Sequence, residues 1–258
     1  MLLSIITINY NNQAGLERTM ASVLSQTYTN FEYLVIDGGS TDGSKALIEQ
    51  YQNDLAYWVS EPDTGIYHAM NKGIKQAKGD YLFFLNSGDD FVHTEALEQI
   101  SKYLNETDII YFDIHTINGN SKAIKSSPAV LSFNYLHEDL PPHQATFIRK
   151  QLFDTLGYYD VNLKIVADWK FLILALIKHN ASYKKVAGIY TNFYLGGISS
   201  NANSASLMQQ ERQAVLETEF PILLEDLKQY YKLTRILRNL RKSKKLKLLV
   251  KWGFIDSF

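Results

Sequence analysis

Two kinds of hydrophobic pattern alternate along the first 85 residues of the chain. Apolar runs rich in strand-forming residues predict strands at residues 3–8, 31–36, 55–59 and 81–85, and the last run is continuous, as expected of a strand covered on both faces. Between these runs, apolar residues recur three and four positions apart, as they do along one face of a helix. The predicted helical stripes consist of Leu16, Met20, Val23 and Leu24, of Leu47, Ile48 and Tyr51 behind a cap at Ser44, and of Ile66, Met70, Ile74 and Ala77. This alternation predicts βαβ units and a mostly parallel sheet in an α/β fold.

The second half of the chain has a less regular pattern. Its predicted elements are a strand at 109–114, a hairpin turn at Asn118-Gly119, a strand at 145–148, an apolar helix at 166–178 and a strand at 183–194. A polar stretch at residues 201–206 separates these elements from a helical C-terminus. We therefore expect one domain over residues 1–205, built from halves at 1–90 and 91–205, followed by a helical extension over 206–258.

Charge divides the chain at a similar place. Residues 227–258 carry ten Lys or Arg and one Asp, a net charge of +9, whereas the first 226 residues carry 16 basic and 26 acidic groups, or −10. Leucine, isoleucine and tryptophan alternate with the cations, a pattern typical of basic amphipathic helices that bind anionic membrane surfaces. We expect such binding through residues 228–252. Packing of this segment on the acidic body is the alternative, and a nucleic-acid partner is not expected.

The chain has no cysteine, which excludes disulfides, zinc–thiolate sites, iron–sulfur clusters and thiol catalysis. The first apolar run lacks a basic segment before it and is interrupted by Ser4 and Thr7, so we expect a buried strand rather than a signal peptide. The longest later apolar run, residues 171–177, is far shorter than the ~20 residues that span a bilayer. These features predict a protein of a reducing compartment such as the cytoplasm.

Polar and acidic residues follow each of the first four predicted strands. They are Asn9, Asp37, the stretch at residues 61–63 and the stretch at residues 86–90. Asp, Asn and Gly are ordinary turn formers, so any one of these turns has a structural explanation. Together they favour a binding site, because ligands of parallel α/β sheets bind beyond the carboxyl ends of the strands.

Two adjacent carboxylates, Asp89 and Asp90, suit a hard divalent cation, Mg²⁺ or Mn²⁺, that is shared with phosphate oxygens. The alternative is a turn in which Asp89 caps a helix. Asp37 and Asp63 could accept hydrogen bonds from a nucleobase or a ribose. Because the chain has no Gly-x-Gly-x-x-Gly and no Walker A sequence, dinucleotide and P-loop sites lose their main support. Asp168 could be a general base or simply an acid favoured in the first turn of a helix.

Several segments resemble the family 2 glycosyltransferases, and in particular a branch similar to the WcaA enzymes of bacterial surface-polysaccharide assembly. The most specific segment is SEPDTGIYHAMNKGI at residues 60–74, supported by SIITINYNN at 4–12 and VIDGGSTDGS at 35–44. Shorter matches occur at residues 79–90, 143–147, 157–160, 167–169 and 196–199. The resemblance extends over about residues 3–200.

The resemblance implies a GT-A fold, with a nucleotide-binding half at residues 1–90 and an acceptor half at 91–205. It implies a nucleotide-diphosphate sugar donor, Mg²⁺ or Mn²⁺, inversion at the anomeric carbon, and a saccharide acceptor that is free or polyprenyl-linked. Such an enzyme would work in the cytoplasm, at the inner face of a bacterial membrane. By motif, the residues implied are Asn9, Asp37, Asp63 and Lys72 for the donor, Asp89 and Asp90 for metal, Asp168 as catalytic base, and His143 and Gln144 on the acceptor side. Residues 196–199 could approach the diphosphate.

Three positions depart from the family pattern. Gly38 stands where many members have a second Asp, residues 86–90 are longer by one than the common acidic motif, and His68 replaces an Asp, for which we expect a small local effect.

Two other functions compete with a glycosyltransferase. A sugar-1-phosphate nucleotidylyltransferase should carry a Gly-rich basic loop after the first strand, where this chain has residues 10–13. An inactive nucleotide-sugar-binding protein should have lost carboxylates that are present here.

Overall fold

A computed structural model describes residues 1–196, 204–252 and 254 of the chain. The contacts divide it into two compact units, Met1–Glu211 and Arg212–Phe258. The predicted domain boundary after residue 205 stays a prediction, because the helix that starts there belongs to both units.

The first half of the larger unit alternates strands and helices as the pattern predicts. Its elements are β1 (Leu3–Asn9), α1 (Gln13–Leu24), β2 (Phe31–Asp37), α2 (Ser44–Gln50), β3 (Tyr57–Ser60), α3 (Ile66–Gln76) and β4 (Tyr81–Phe84). One detail differs from the prediction. The residue that caps α2 is Gly43, whose φ of 100° suits glycine, and Ser44 is the first helical residue. Ser44 donates to Asp42 through both its amide and its hydroxyl instead of capping the helix.

The second half is more irregular and contains elements that the pattern does not predict. Its elements are β5 (Asp90–Phe91), α4 (Ala96–Ser101), β6 (Ile109–Asn118), β7 (Ser121–Lys125), α5 (Phe133–Leu136), β8 (Thr146–Arg149), α6 (Lys150–Leu156), α7 (Ala167–Ile173) and β9 (Tyr183–Tyr194). A 3₁₀ turn at His143–Ala145 precedes β8, and a π-helical turn at Leu174–Lys178 continues α7. The predicted hairpin is confirmed, since Asn118 pairs with Ser121 across the turn. The pattern misses β5, α4, α5 and α6, which are all short.

Within the described residues, nine strands form one sheet in the order β3-β2-β1-β4-β8-β6-β9-β5, with β7 paired to β6. The strands β3, β2, β1 and β4 are mutually parallel, as predicted. Beyond them β8 joins β4 in the antiparallel sense and extends the sheet into the second half. As a result, the carboxyl ends of four consecutive strands lie side by side at one edge.

The central strands are buried on both faces. In β1, Leu3 and Ile5 belong to the same core cluster as Leu16 of α1. On the opposite face, Gly73 brings α3 so close to Ile6 that a Cβ at position 73 would lie 2.5 Å from the Ile6 Cγ2. This double burial explains why β4 is a continuous apolar run and why apolar side chains of β1 are buried on both of its faces.

The C-terminal part is helical, as the sequence predicts, and contains α8 (Ala205–Glu219), α9 (Pro221–Lys242) and α10 (Lys244–Lys251). Pro221 occupies the first turn of α9, where its missing N–H costs no helical hydrogen bond. In the described part of the chain, no helix combines the length and apolarity that crossing a bilayer requires.

The entry of β4 into the sheet gives a test of this packing. A Cβ at Gly79 would lie 2.5 Å from the backbone nitrogen of Ser4, which cannot move without disturbing β1. We expect Gly79→Ala to lower the free energy of unfolding by about 1–3 kcal/mol, the usual cost of overpacking. Urea unfolding measures it, with Lys78→Ala, an exposed neighbour, as control. Equal stability of the two variants would contradict the close packing of β4 on β1.

Candidate functional site

The ends of β1, β2 and β3 are joined by one buried carboxylate. In the sheet register Asp37 lies beside Asn9 on one side and beside Ser60 on the other. Asn9 Nδ2 donates a hydrogen bond to Asp37 over 2.7 Å, and the Ser60 hydroxyl donates a second one to Asp37 over 2.6 Å. Ser40, in the loop after β2, adds its amide at 2.9 Å and its hydroxyl at 2.5 Å.

Four donors therefore converge on Asp37, whose side chain is fully buried. Burial raises the pKa of this carboxyl, but the hydrogen bonds from Ser40, Ser60 and Asn9 outweigh it and hold the pKa below its ordinary value. The structure thus places two predicted donor-binding residues, Asn9 and Asp37, in direct contact. In that contact they organise the strand ends.

Asp63 and Lys72, the other two predicted donor-binding residues, form an ion pair with Nζ and Oδ1 2.7 Å apart. Lys72 also pairs with Glu61 at 2.7 Å. Burial lowers the pKa of Lys72, but the two carboxylates outweigh it and the pKa is raised. The lysine is therefore a firmly charged cation at the site.

His68 belongs to the same group, since its Nδ1 lies 3.1 Å from Asp63 Oδ1. The departure from the family pattern at this position therefore alters a contact inside the candidate site. Gly38 is adjacent as well, because a Cβ there would lie 3.5 Å from Asp63 Oδ2 and 3.1 Å from the ring of Tyr10. Asp63 thus occupies the space beside Gly38.

Asp89 and Asp90 lie at the end of the loop that follows β4. Asp89 is buried and accepts from Gln144 Nε2 and from the Tyr194 amide, both at 3.1 Å. Burial raises the pKa of Asp89 to about 6, against the lowering effects of Tyr194, His143 and Gln144. Asp89 does not cap a helix, since α4 begins only at Ala96.

Asp90 starts β5 and is held from β9. Asn192 Nδ2 donates to it over 2.6 Å, the Tyr194 hydroxyl lies 3.2 Å away, and Arg18 Nε lies 3.6 Å away. The guanidinium of Arg18 also stacks 3.9 Å over the Tyr194 ring. Residues of α1 and β9 therefore fix the second carboxylate.

The two carboxylates fit a hard divalent cation. Carboxylate oxygens are the ligands that Mg²⁺ and Mn²⁺ prefer, and each oxygen of Asp89 accepts one hydrogen bond, which leaves a further lone pair on each for a cation. The described residues contain no cluster of three or more His, Cys, Asp or Glu side chains that could hold a metal. A cation here would therefore take most of its ligands from a bound molecule such as a diphosphate.

Asp168 lies in the first turn of α7, half-buried. Its Oδ1 accepts from the Tyr67 hydroxyl over 2.8 Å, and its Oδ2 lies 3.5 Å from His143 Nδ1. Burial raises the pKa of Asp168, but His143 and Tyr67 outweigh it and the pKa lies below its ordinary value. The carboxylate is therefore charged at neutral pH and able to accept a proton.

The 3₁₀ turn His143–Ala145 connects Asp168 with the loop that follows β4. His143 contacts Asp168 through one ring nitrogen, and its Nε2 lies 2.9 Å from Asn86 Nδ2. The next residue, Gln144, donates to Asp89. Residues predicted on the acceptor side thus lie between the predicted base and the predicted metal ligands.

Some residues of the site are not predicted by the sequence. Tyr67 lies in the most specific motif, at residues 60–74, yet only the fold brings it 2.8 Å from Asp168. Arg18, Asn192 and Tyr194 carry no sequence signal, since they lie on elements distant in the chain. Of the predicted loop at residues 196–199, positions 197–199 lie outside the described residues.

Residues 4–159 match the sequence profile of glycosyl transferase family 2, more than half of the chain. The chain belongs to this family. An uncharacterized glycosyltransferase of Mycobacterium tuberculosis is 37% identical over 179 residues, which cover 67% of this chain and 68% of that protein. A glycosyltransferase of PGL/p-HBAD biosynthesis from Mycobacterium bovis is 30% identical over 181 residues, with the same shares covered.

Solved structures show the same fold for this family 2 glycosyltransferase. Staphylococcus aureus TarS in complex with UDP-GlcNAc superposes with a TM-score of 0.65 at 21% identity, over 84% of this chain and 71% of TarS. The mannosyltransferase PcManGT of Pyrobaculum calidifontis, in complex with GDP-Man and Mn²⁺, superposes with a TM-score of 0.55 at 17% identity, over 73% of this chain and 55% of that one. The predicted GT-A fold is thereby confirmed.

The contacts of Asp37 predict a mainly structural role, which can be tested. Asp37→Asn removes the charge that four donors stabilise, so we expect the free energy of unfolding to fall by roughly 2–3 kcal/mol at pH 7. Because the folded-state pKa of Asp37 is lowered, its stabilisation is present above the unfolded-state pKa and is lost as the pH falls through the folded-state value. The difference between wild type and variant should therefore shrink in acid.

Urea unfolding at a series of pH values measures this difference. Asp154→Asn, at an exposed carboxylate, is the control and should match the wild type throughout. If Asp37→Asn is as stable as the control at pH 7, Asp37 does not organise the strand ends.

Proposed function

We propose that this enzyme is an inverting glycosyltransferase that moves a sugar from a nucleoside-diphosphate sugar to a hydroxyl of a lipid-linked saccharide, in glycan biosynthesis. The observation that carries the proposal is the turn His143–Ala145, which contacts Asp168 through one residue and Asp89 through the next. A proton acceptor and a pair of metal-binding carboxylates are thus held by one short segment. An inverting displacement at a diphosphate-linked sugar needs both groups close together.

The donor would bind along the carboxyl edge of β3, β2, β1 and β4. We assign the nucleoside to Asp63, beside Gly38, and the diphosphate to the side of Lys72 and the loop that follows β4, with Asn9 and Asp37 shaping the floor. The solved relatives support a nucleotide-sugar donor, since TarS was solved with UDP-GlcNAc and PcManGT with GDP-Man.

Asp89 and Asp90 would hold Mg²⁺ or Mn²⁺ against the diphosphate. Such a cation neutralises the negative charge that builds on the leaving group. PcManGT was solved with Mn²⁺, which supports this assignment. The pair would also fix the donor so that its anomeric carbon faces the acceptor.

Asp168 would act as the base. It takes the proton of the acceptor hydroxyl while that oxygen forms a bond to the anomeric carbon, and the bond from this carbon to the phosphate oxygen breaks on the opposite face. The nucleoside diphosphate leaves with the electron pair. A single displacement needs one base, in contrast to the two carboxylates of a glycosidase. No observation in the described residues favours a nucleotidylyltransferase or an inactive binding protein.

The metal assignment predicts that nucleoside-diphosphate binding depends on both carboxylates. We expect UDP, GDP or dTDP to bind with Mn²⁺ and to bind much more weakly in EDTA, because phosphate oxygens complete the coordination shell. The double variant Asp89→Ala, Asp90→Ala should lose the effect of Mn²⁺, and Asp154→Ala should keep it. Calorimetry measures these affinities. Equal affinity of the wild type with Mn²⁺ and in EDTA, or an effect of Mn²⁺ that the double variant keeps, would count against the metal site.

The base assignment predicts that Asp168→Asn slows the chemistry and spares donor binding. Turnover should fall by a factor of about 100 to 10000, the usual contribution of a general base. The assay uses sugar derivatives of the nucleotide that binds in calorimetry as donors and polyprenyl-linked saccharides as acceptors. Asp154→Asn is the control. Near-normal transfer by Asp168→Asn would remove Asp168 from the mechanism.

We further infer that α9 and α10 bring the enzyme to the anionic inner face of a bacterial membrane. All ten basic side chains between residues 228 and 251 are exposed. In α9, Leu233, Ile236, Leu237 and Leu240 follow i, i+3, i+4, i+7 spacing, and most of the cations fall on the opposite side of the helix. Trp252 is also exposed, so an aromatic side chain stands next to the basic helices. Apolar burial and attraction to anionic lipid would act together.

The membrane inference is tested with vesicles. We expect the full-length protein to sediment with anionic vesicles, less with neutral ones, and less as salt screens the charges. A variant with four tail lysines changed to Glu should lose binding; these are Lys244, Lys245, Lys247 and Lys251. A charge-matched control should keep it, with Glu at the exposed positions Lys45, Lys78, Lys102 and Lys122. Equal sedimentation of both variants would show that the tail does not bind lipid.

A further inference from the structure

Four polar side chains from separate parts of the chain form one line through the candidate site. Asn86 follows β4, His143 lies in the 3₁₀ turn, Asp168 lies in the first turn of α7 and Tyr67 belongs to α3. The successive distances are 2.9 Å from Asn86 to His143, 3.5 Å from His143 to Asp168, and 2.8 Å from Tyr67 to Asp168. The side chains of His143 and Asp168 are only 18% and 16% exposed.

The orientation of Asn86 determines where the imidazole proton lies. Because an amide nitrogen can only donate, the placement of Asn86 Nδ2 2.9 Å from His143 Nε2 assigns the lone pair to this ring nitrogen. The proton of the neutral ring is then on Nδ1, which faces Asp168 Oδ2. The imidazole is thus presented to the carboxylate as a donor.

His143 is held firmly in this position. Pro141 and Pro142 precede it and restrict the backbone. The Thr146 hydroxyl donates to the Pro142 carbonyl over 2.7 Å, and the Thr191 hydroxyl donates to the Gln144 carbonyl over 2.8 Å. The backbone on both sides of His143 is therefore fixed by side-chain hydrogen bonds, and the ring itself is held by its contact with Asn86.

Tyr67 cannot replace this donor. Its hydroxyl lies 2.5 Å from the Ile165 carbonyl and 2.8 Å from Asp168 Oδ1. A phenol has one hydrogen, so Tyr67 divides its donation between these two acceptors. Among the described residues, His143 is left as the side chain that presents a donor to the second oxygen, Oδ2, at 3.5 Å.

We propose that His143 is a positioning residue for Asp168: its Nδ1–H, fixed by Asn86, orients the carboxylate and keeps its charged form stable. The role of Asp168 as a base rests on the proposed function, whereas the contact itself does not. The titratable groups that act on Asp168 are His143 from the 3₁₀ turn, Tyr67 from α3, and Tyr159 from the segment before α7. Removing the imidazole donor leaves the buried carboxylate less stabilised, so its pKa should rise.

Carbon-13 NMR of the aspartate carboxyls tests this without any substrate. The Asp168 signal is assigned with Asp168→Asn, and its titration midpoint is measured in the ligand-free full-length protein. His143→Phe should move the midpoint to higher pH, because the ring keeps its bulk and loses its donor. His143→Asn should restore a midpoint near that of the wild type, because its amide N–H can take the place of Nδ1–H. His179→Phe, at an exposed histidine, is the control and should change nothing.

An unchanged midpoint in His143→Phe would overturn the proposal, and so would His143→Asn behaving like His143→Phe. If His143→Phe does not fold, long-range ¹H–¹⁵N spectra of the wild-type protein show which ring nitrogen of His143 carries the proton. We expect a proton on Nδ1 of His143, and a proton on Nε2 alone would overturn the proposal.

Transfer assays separate this proposal from the proposed function. If His143 positions a working base, the acidic limb of the kcat/KM profile should move to higher pH in His143→Phe, with nucleotide affinity unchanged. Near-normal transfer by Asp168→Asn would instead refute the base while leaving the NMR result standing.

Discussion

The carboxyl edge of the sheet depends on the charge of Asp37. Three parallel strands end at the same level, and each end exposes polar backbone and side-chain groups that need partners. One buried carboxylate accepts from Asn9, Ser60 and Ser40, and so ties together β1, β3 and the loop after β2. Without this carboxylate, Asn9, Ser60 and Ser40 would each lose a hydrogen-bond acceptor at this edge of the sheet.

The carboxylates at this edge are compensated to different degrees. Asp37 accepts four hydrogen bonds and has a lowered pKa, whereas Asp89 accepts two and has a pKa raised to about 6 by burial. A fully compensated carboxylate stabilises a fold, and a poorly compensated one is destabilising until a cation arrives. This contrast separates Asp37, which stabilises the edge of the sheet, from Asp89, which would bind a cation there.

The family match and the candidate site do not cover the same part of the chain. The match ends at residue 159, before α7 and β9. Yet α7 supplies Asp168, and β9 supplies Asn192 and Tyr194, which hold Asp90. The second half therefore completes a site whose sequence signal lies mostly in the first half. His68 and Gly38, which depart from the family pattern, both lie next to Asp63.

The sequence by itself determined the elements whose signal is local. The buried strand β4 is a continuous apolar run, β1 is a largely apolar one, α1 and α3 carry apolar stripes, and the acidic loop follows β4 directly. Short elements such as β5 and α6 were missed, because a few residues carry no periodic pattern and tertiary contacts stabilise them.

Only the tertiary structure decided which candidate residues meet. Nothing in the spacing of Tyr67, His143 and Asp168 indicates contact, since 76 and 25 residues separate them in the chain. Their meeting follows from β8 joining β4, which brings the 3₁₀ turn before β8 to the loop after β4. Likewise only the fold brings Asn9 and Ser60 to Asp37, whose predicted role in donor binding stays a prediction. Hydrogen-bond saturation is set by neighbours in space, and a sequence records neighbours only along the chain.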